Sequence, residues 1–193
     1  MNALRTFAWA LCCIYATIPL FWLLIHPFAP KWRTRRGPKF KILGPVWVAM
    51  WAIAAVVTWP WRDALLYDEP LAWMIGAPLI TAGLLLYMNA SQGFSAKQLR
   101  GHAEIEPHSP QRLVRGGIRE RVRHPIYLGH LCEMLGWTLG SGLAVLFALT
   151  AFAVVTGTIM IRQEEKELAN RFGAEWKRYR EQVPAIVPRW HSL

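Results

Sequence analysis

Hydrophobic and polar positions in this chain alternate in long blocks. Apolar runs cover Leu4 to Phe28, Ile42 to Trp61, Leu71 to Met88, Pro125 to about Leu139 and Leu143 to about Ile161, separated by polar connections. About 20 apolar residues in helical conformation cross the hydrocarbon core of a bilayer. The pattern therefore predicts an all-α integral membrane protein with five transmembrane helices. Beyond them, Leu168, Phe172, Tyr179 and Val183 recur at helical intervals among charged residues, and Glu167 with Arg171 forms an i,i+4 pair. Gln163 to about Glu181 thus reads as a C-terminal amphipathic helix, ended by Pro184, that lies at the membrane interface or caps a polar site. Gly76, Pro78 and Gly83 offer the third span close packing or a kink. Gly140-Ser141-Gly142 marks the reversal between the last two spans. The fourth span is short and holds His130 and Glu133, which predicts a tilted or only partly lipid-facing helix.

Charge orients this plan. The chain has 193 residues, 54% of them hydrophobic, with 11 Trp and a net charge of +10. The basic excess sits in particular connections. Lys31, Arg33, Arg35, Arg36, Lys39 and Lys41 occupy one short loop without an acid, which marks the cytoplasmic side. Arg62 to Pro70 holds one base against Asp63, Asp68 and Glu69 and belongs outside. Asn89 to Arg123 is again rich in arginine and returns to the cytoplasm. The amino terminus is then outside and the carboxy terminus cytoplasmic. Nucleic-acid binding, which would gather the basic residues on one soluble face, is not supported.

Cys12, Cys13 and Cys132 all fall in apolar runs, which predicts three free, buried thiols rather than a disulfide framework. The first run follows only Arg5 and shows no small-residue cleavage site before Pro30, so it reads as a retained span. No residue pattern sets an oligomeric state.

Candidate chemistry gathers around the last hairpin. Arg123 and His124 stand where a polar loop enters the fourth span, and Pro125 suits the first turn of a helix. Glu164 and Glu165 follow the fifth span. An excursion out and back through the bilayer returns the chain to one membrane face, where these two charged clusters can close on a single site. Singly, Arg123 reads as a membrane anchor and the glutamates as solvated charges; jointly they suit a polar cofactor at the edge of an apolar pocket. Glu133 lies at the edge of the helical face formed by Tyr127, His130, Met134 and Trp137. An ionisable group at that depth faces a cavity or a partner, so it is either a hydrogen-bonded packing residue or a functional one. His130 and Glu133 lack further ligands at useful spacing, and no metal site is expected. Gly116-Gly117 permits close backbone approach to a ligand. The glycine signatures of soluble nucleotide-binding folds are missing from the sequence.

Four segments together resemble the isoprenylcysteine carboxyl methyltransferase and phospholipid methyltransferase superfamily of integral membrane enzymes. They are L-V-R-G-G at Leu113 to Gly117, R-H-P-I-Y-L-G at Arg123 to Gly129, R-Q-E-E at Arg162 to Glu165, and F-G-A-E-W-K-R-Y-R-E-Q-V-P at Phe172 to Pro184. The likeness runs from Leu113 to Pro188, and the first three spans match only in kind. Where the family often carries Gly-Pro-Tyr, this chain has Gly117-Ile118.

The resemblance implies S-adenosylmethionine as methyl donor, bound from the cytoplasmic side and leaving as S-adenosylhomocysteine. By position, Arg123, His124, Tyr127, Glu164 and Glu165 become cofactor-binding candidates, with Leu113, Val114, Gly116 and Gly117 supplying backbone contacts. The two cytoplasmic segments, 89–124 and 162–193, would build that site on a single membrane domain. A lipid-like acceptor, such as a phospholipid amine or a prenylcysteine carboxylate, would enter laterally from the bilayer; a small thiol or amine also fits. A carboxylate acceptor needs no base, and Arg123 would orient it. An amine or thiol must lose a proton, which Glu133, His130 or Glu165 would accept. The tail also resembles membrane sterol reductases, which would use NADPH, and a non-catalytic scaffold is a third class.

Overall fold

The computed structural model describes residues 3–92, 94–99, 101–106 and 112–187. Arg100, part of the expected polar connection, and the tail from Pro188 onward lie outside the described residues. The elements among these residues are all helices, joined by loops, with one isolated bridge between Leu65 and Leu143. Helix α1 (Ala3–Leu23) gives way to a 3-10 turn, His26–Phe28, and a short α2 (Ala29–Thr34). Then come α3 (Phe40–Thr58), α4 (Trp73–Ser91), the short α5 (Ala96–Leu99) and α6 (His102–Ile105), α7 (Pro125–Ser141), α8 (Ala144–Phe172) and α9 (Ala174–Gln182).

The segments 3–34, 40–61, 70–91 and 144–172 are each long and apolar enough to cross a membrane. Helix α7 is the exception to the expected five. It has 17 residues, and Gly129, Glu133, Gly136 and Gly140 along it are buried against neighbouring helices. Its faces are spent on protein contacts, which explains why its sequence tolerates His130 and Glu133 at that depth.

Small residues set this packing. A Cβ at Gly83 would lie 2.6 Å from the Gly129 carbonyl oxygen, and one at Gly136 would lie 2.6 Å from that of Gly76. Helices α4 and α7 therefore touch backbone to backbone, as small-residue seams allow. On the other side, Ala8, Cys12, Cys13 and Ala16 of α1 pack with Met134 of α7 and Leu146, Leu149 and Ala153 of α8. Trp9 Nε1 donates to Thr58 Oγ1 at 2.9 Å and ties α1 to α3. Ile53 and Val56 of α3, Met74 and Leu85 of α4 and Val155 of α8 stay exposed, the belt that a bilayer would cover. All three cysteines are free; Cys12 and Cys13 are buried as expected, but Cys132 is only half-buried.

The two ends of the bundle differ. At one, Arg5 pairs with Asp68 at 2.5 Å and donates to the Ser141 carbonyl at 3.2 Å. Gly142, at φ +67, closes α7 there by donating to Thr138, and the tight approach of Tyr67 leaves no room for a side chain. The reversal is thus shorter than Gly140-Ser141-Gly142 suggests, because Gly140 and Ser141 are still helical. The other end collects α2, α5, α6, the loop before α7, the second half of α8, and α9.

One boundary departs from the sequence reading. The fifth span and the amphipathic segment are one continuous helix to Phe172, and the break comes at Gly173, at φ +53. Charge alone does not stop a helix; a glycine in the left-handed region does. Val183 is extended ahead of Pro184, as that neighbour requires. Trp176, Tyr179 and Val183 pack on Leu113, Leu168 and Phe172, folding α9 back over the loop.

Candidate functional site

The loop before α7, the start of α7 and the charged half of α8 meet with the end of α1 around a cavity of about 520 Å³. Phe21, Trp22, Phe40, Trp47, Tyr87 and Phe94 make much of its wall aromatic; Glu104, Arg119, Arg123, His124, Tyr127, His130 and Glu164 supply polar groups. A smaller space of about 100 Å³ shares Glu104, Arg119, His124 and Glu164 with it and reaches Leu113, Val114, Trp176 and Tyr179.

His124 is the electrostatic centre. Its Nδ1 lies 3.4 Å from Glu164 Oε2 and its Nε2 lies 3.3 Å from Glu165 Oε1. Its ring stacks on Tyr127 at 5.8 Å between centroids. Burial pushes the imidazole toward its neutral form, but the two carboxylates outweigh that and lift its pKa to about 9. At neutral pH His124 is an imidazolium between two carboxylates. Tyr127 is within hydrogen-bonding reach of Glu164.

The paired glutamates take different positions. Glu164 lines both cavities, and beyond the 3.4 Å approach of His124 Nδ1 its Oε2 has no hydrogen-bond partner. Glu165 lines neither. It accepts from Arg123 Nε at 3.0 Å and from Arg123 Nη2, and lies 3.5 Å from Arg180 Nε. Arg123 also donates through Nη1 to the carbonyls of Arg180 and Val183, and the amides of Arg123 and His124 donate to Pro184 at 2.9 Å and Ala185 at 3.0 Å. Arg123 therefore reaches the cavity wall with its guanidinium already engaged, fastening the tail to the hairpin.

The remaining candidates are more dispersed. Leu113 and Val114 reach the smaller space. Gly116 and Gly117 are exposed, with nothing within 4 Å of where a side chain would begin, and Gly117 at φ +66 opens the 3-10 turn Gly117–Glu120. Glu133 is not at the cavity wall. It is buried and accepts a hydrogen bond from Tyr15 at 2.5 Å. The connection to the cavity runs through aromatic rings, since His130 lies 5.2 Å from Tyr15 and 5.4 Å from Tyr87.

Several groups here went unremarked in the sequence. Arg119 is buried, donates to the Ala90 carbonyl at 2.7 Å and stacks 4.2 Å over Phe94; Tyr179 donates to the Arg119 carbonyl at 2.7 Å. Burial lowers the Arg119 pKa from its ordinary value. Glu104 belongs to a network with Arg171 at 3.7 Å, which holds Glu167 at 2.9 Å, itself 2.5 Å from Arg33. Burial raises Glu104 to about 7, more than Arg171 lowers it. His26 is buried in the 3-10 turn and stacks on Trp22 at 5.1 Å. Helical periodicity points to none of these, because each reaches the site from a loop or from a distant helix end. Gly117-Ile118 lacks the tyrosine of the Gly-Pro-Tyr often found in the family, and Phe94 and Tyr87 are among the aromatic residues of the cavity wall.

The phospholipid methyltransferase family model matches residues 71–175, more than half of the chain. The chain belongs to the phospholipid methyltransferase family. The match starts upstream of the segments that carried the resemblance and takes in the whole of α4, the helix whose glycines seat α7.

Among curated relatives, methanethiol S-methyltransferase 1 of Bradyrhizobium diazoefficiens is 28% identical over 55% of this chain and 36% of its own length. A methanethiol S-methyltransferase of Crocosphaera subtropica is 23% identical over 81% of this chain and 65% of its own. The mouse Delta(14)-sterol reductase TM7SF2 is 30% identical over 49% of this chain and 23% of its own. The chain thus spans between about a quarter and two thirds of the length of these relatives. No solved structure matches it.

Proposed function

We propose that this protein transfers the methyl group of S-adenosylmethionine to a lipid-like acceptor at the cytoplasmic face of a membrane. The carrying observation is the convergence of His124, Tyr127 and Glu164 on one largely aromatic cavity that the apolar helices α1 and α3 also line, through Ile18, Gly44 and Trp47. The donor is a compact cation at its sulfonium and ammonium groups. Carboxylates and aromatic faces suit such a ligand, and Glu104 and Glu164 both have an oxygen at the wall without a hydrogen bond. NADPH, the alternative suggested by the sterol reductase likeness, would bring phosphates against those carboxylates. Its natural cation partners, Arg119 and Arg123, are already engaged with Ala90 and with Glu165.

When bound, the donor supplies an electrophilic methyl group. The protein's own work is to hold the two reactants in line and exclude water. Glu164, Tyr127 and His124 bind on the loop side, while Arg123, Glu165 and α9 keep the cavity roofed. The acceptor enters between the apolar helices beside Phe40, Gly44 and Trp47. For an amine or thiol acceptor, His130 takes the proton, its Nδ1 buried and without a partner. Tyr15 and Glu133 set the ring's position. Residues 89–124 and 162–193 form the cytoplasmic side of a single membrane domain. The acid-free basic loop at Lys31–Lys41 supports that orientation.

A second reading, a small thiol as acceptor, is favoured by the names of the methanethiol S-methyltransferase relatives. Incubation of the purified protein with methyl-labelled donor, in parallel with a membrane lipid extract and with methanethiol, decides between them. Label in the lipid fraction is expected. Label only in dimethyl sulfide selects the thiol, and label in neither overturns the methyl-transfer reading.

A further inference from the structure

Four buried side chains at the wall of the main cavity carry atoms without a hydrogen-bond partner: His130 at Nδ1, which has no charged neighbour, and three that feel one another's charge, His26 at both ring nitrogens, Glu104 at Oε2 and Glu164 at Oε2, which faces His124 Nδ1 at 3.4 Å. His26, Glu104 and Glu164 come from the turn after α1, from α6 and from α8, so no local motif unites them. His26 lies upstream of the family match at residues 71–175. It is 3% exposed, and its ring is fixed by the stack on Trp22, with an interplanar angle of 17°. Buried polar atoms are normally satisfied, and three neighbouring exceptions on one side of a cavity indicate a polar group that belongs among them.

The chemistry of the trio selects that group. An anion would be repelled by Glu104 and Glu164. A sulfonium or quaternary ammonium carries no N–H and would leave the acceptors unmet. A primary ammonium has three donors and no acceptor, which matches two carboxylate oxygens and one imidazole nitrogen.

We propose that His26, Glu104 and Glu164 form the cradle for the α-ammonium group of the methyl donor. The proposal rests on S-adenosylmethionine being that donor. It gives the end of α1 and the short α6 a part in cofactor selection. It also assigns the aromatic wall, rather than the carboxylates, to the rest of the ligand.

The test is calorimetric titration of the purified full chain with S-adenosylhomocysteine and with its deamino analogue, in which hydrogen replaces the ammonium group. The wild type is expected to bind S-adenosylhomocysteine about 10- to 100-fold more tightly than the analogue, the range for hydrogen bonds to a charged group. His26→Ala and Glu104→Gln should each remove about 10-fold or more of the affinity for S-adenosylhomocysteine and leave the analogue within about 2-fold of the wild-type value. Variants that bind S-adenosylhomocysteine as the wild type does, or that lose both ligands equally, overturn the cradle. A wild type that binds both ligands equally overturns the ammonium assignment but keeps the donor. A wild type that binds neither overturns the donor reading together with the cradle.

Discussion

Glu165→Gln separates the two members of the glutamate pair. In the structure Glu165 is a clasp rather than a wall residue. Its carboxylate takes two donors of Arg123, and the side chains are 7% and 13% exposed, so solvent screens the pair little. Removing one partner of a buried pair outright costs about 3–5 kcal/mol. Glutamine keeps an oxygen in place, and Arg123 retains the carbonyls of Arg180 and Val183. The loss should therefore be that of charge-assisted hydrogen bonding, about 1.5–3 kcal/mol. Arg180 is 61% exposed and adds nothing to the sum. For a chain of this size the loss lowers the melting temperature by about 3–12 °C. Thermal unfolding in detergent measures it, and limited trypsin digestion should release the tail around Arg180 sooner than in wild type. Affinity for S-adenosylhomocysteine should fall less than in Glu164→Gln. An unchanged melting temperature together with a loss of affinity as large as that of Glu164→Gln would refute the clasp and put Glu165 on the ligand.

His124 predicts a pH dependence of definite sign. Its pKa rises on folding from an ordinary 6.5 to about 9, so its contribution, about 3 kcal/mol, is full below pH 6.5 and lost as pH rises through 9. The melting-temperature gap between wild type and His124→Asn should accordingly narrow between pH 6.5 and 10, and a constant gap would count against the paired imidazolium. Gly83→Ala sets a methyl group 2.6 Å from the Gly129 carbonyl oxygen; a loss of about 1–3 kcal/mol in thermal unfolding is expected, and wild-type stability would mean that α4 and α7 are further apart. Glu133→Gln should lower turnover while leaving affinity for S-adenosylhomocysteine intact, because Glu133 acts through Tyr15 on His130; normal turnover would leave it as a packing residue.

How much of this was legible in the sequence depended on distance along the chain. The apolar blocks gave the long helices, since crossing a bilayer imposes a length that composition reveals. Arg123, His124, Tyr127 and Glu164 could be grouped because a hairpin must return to its starting face. Glu165 looked equivalent to Glu164, yet one step along a helix turns a side chain by about 100°, here from the cavity to the Arg123 clasp. The continuity of α8 was hidden by its charges, although Gly173 carried the true stop signal. His26, Glu104 and Arg119 were invisible because their roles exist only once α1, α6 and the α7 loop are packed together. The shortness of α7 was plain, but its enclosure became clear only from the glycines that face it on α4.

The most direct measurement of the central claim is crystallographic: the protein grown with S-adenosylhomocysteine in a lipidic mesophase. Ligand density filling the cavity between His124, Tyr127 and Glu164, with Glu165 still holding Arg123, is the predicted result. Density at another place on the bundle, with that cavity filled only by lipid, would contradict it.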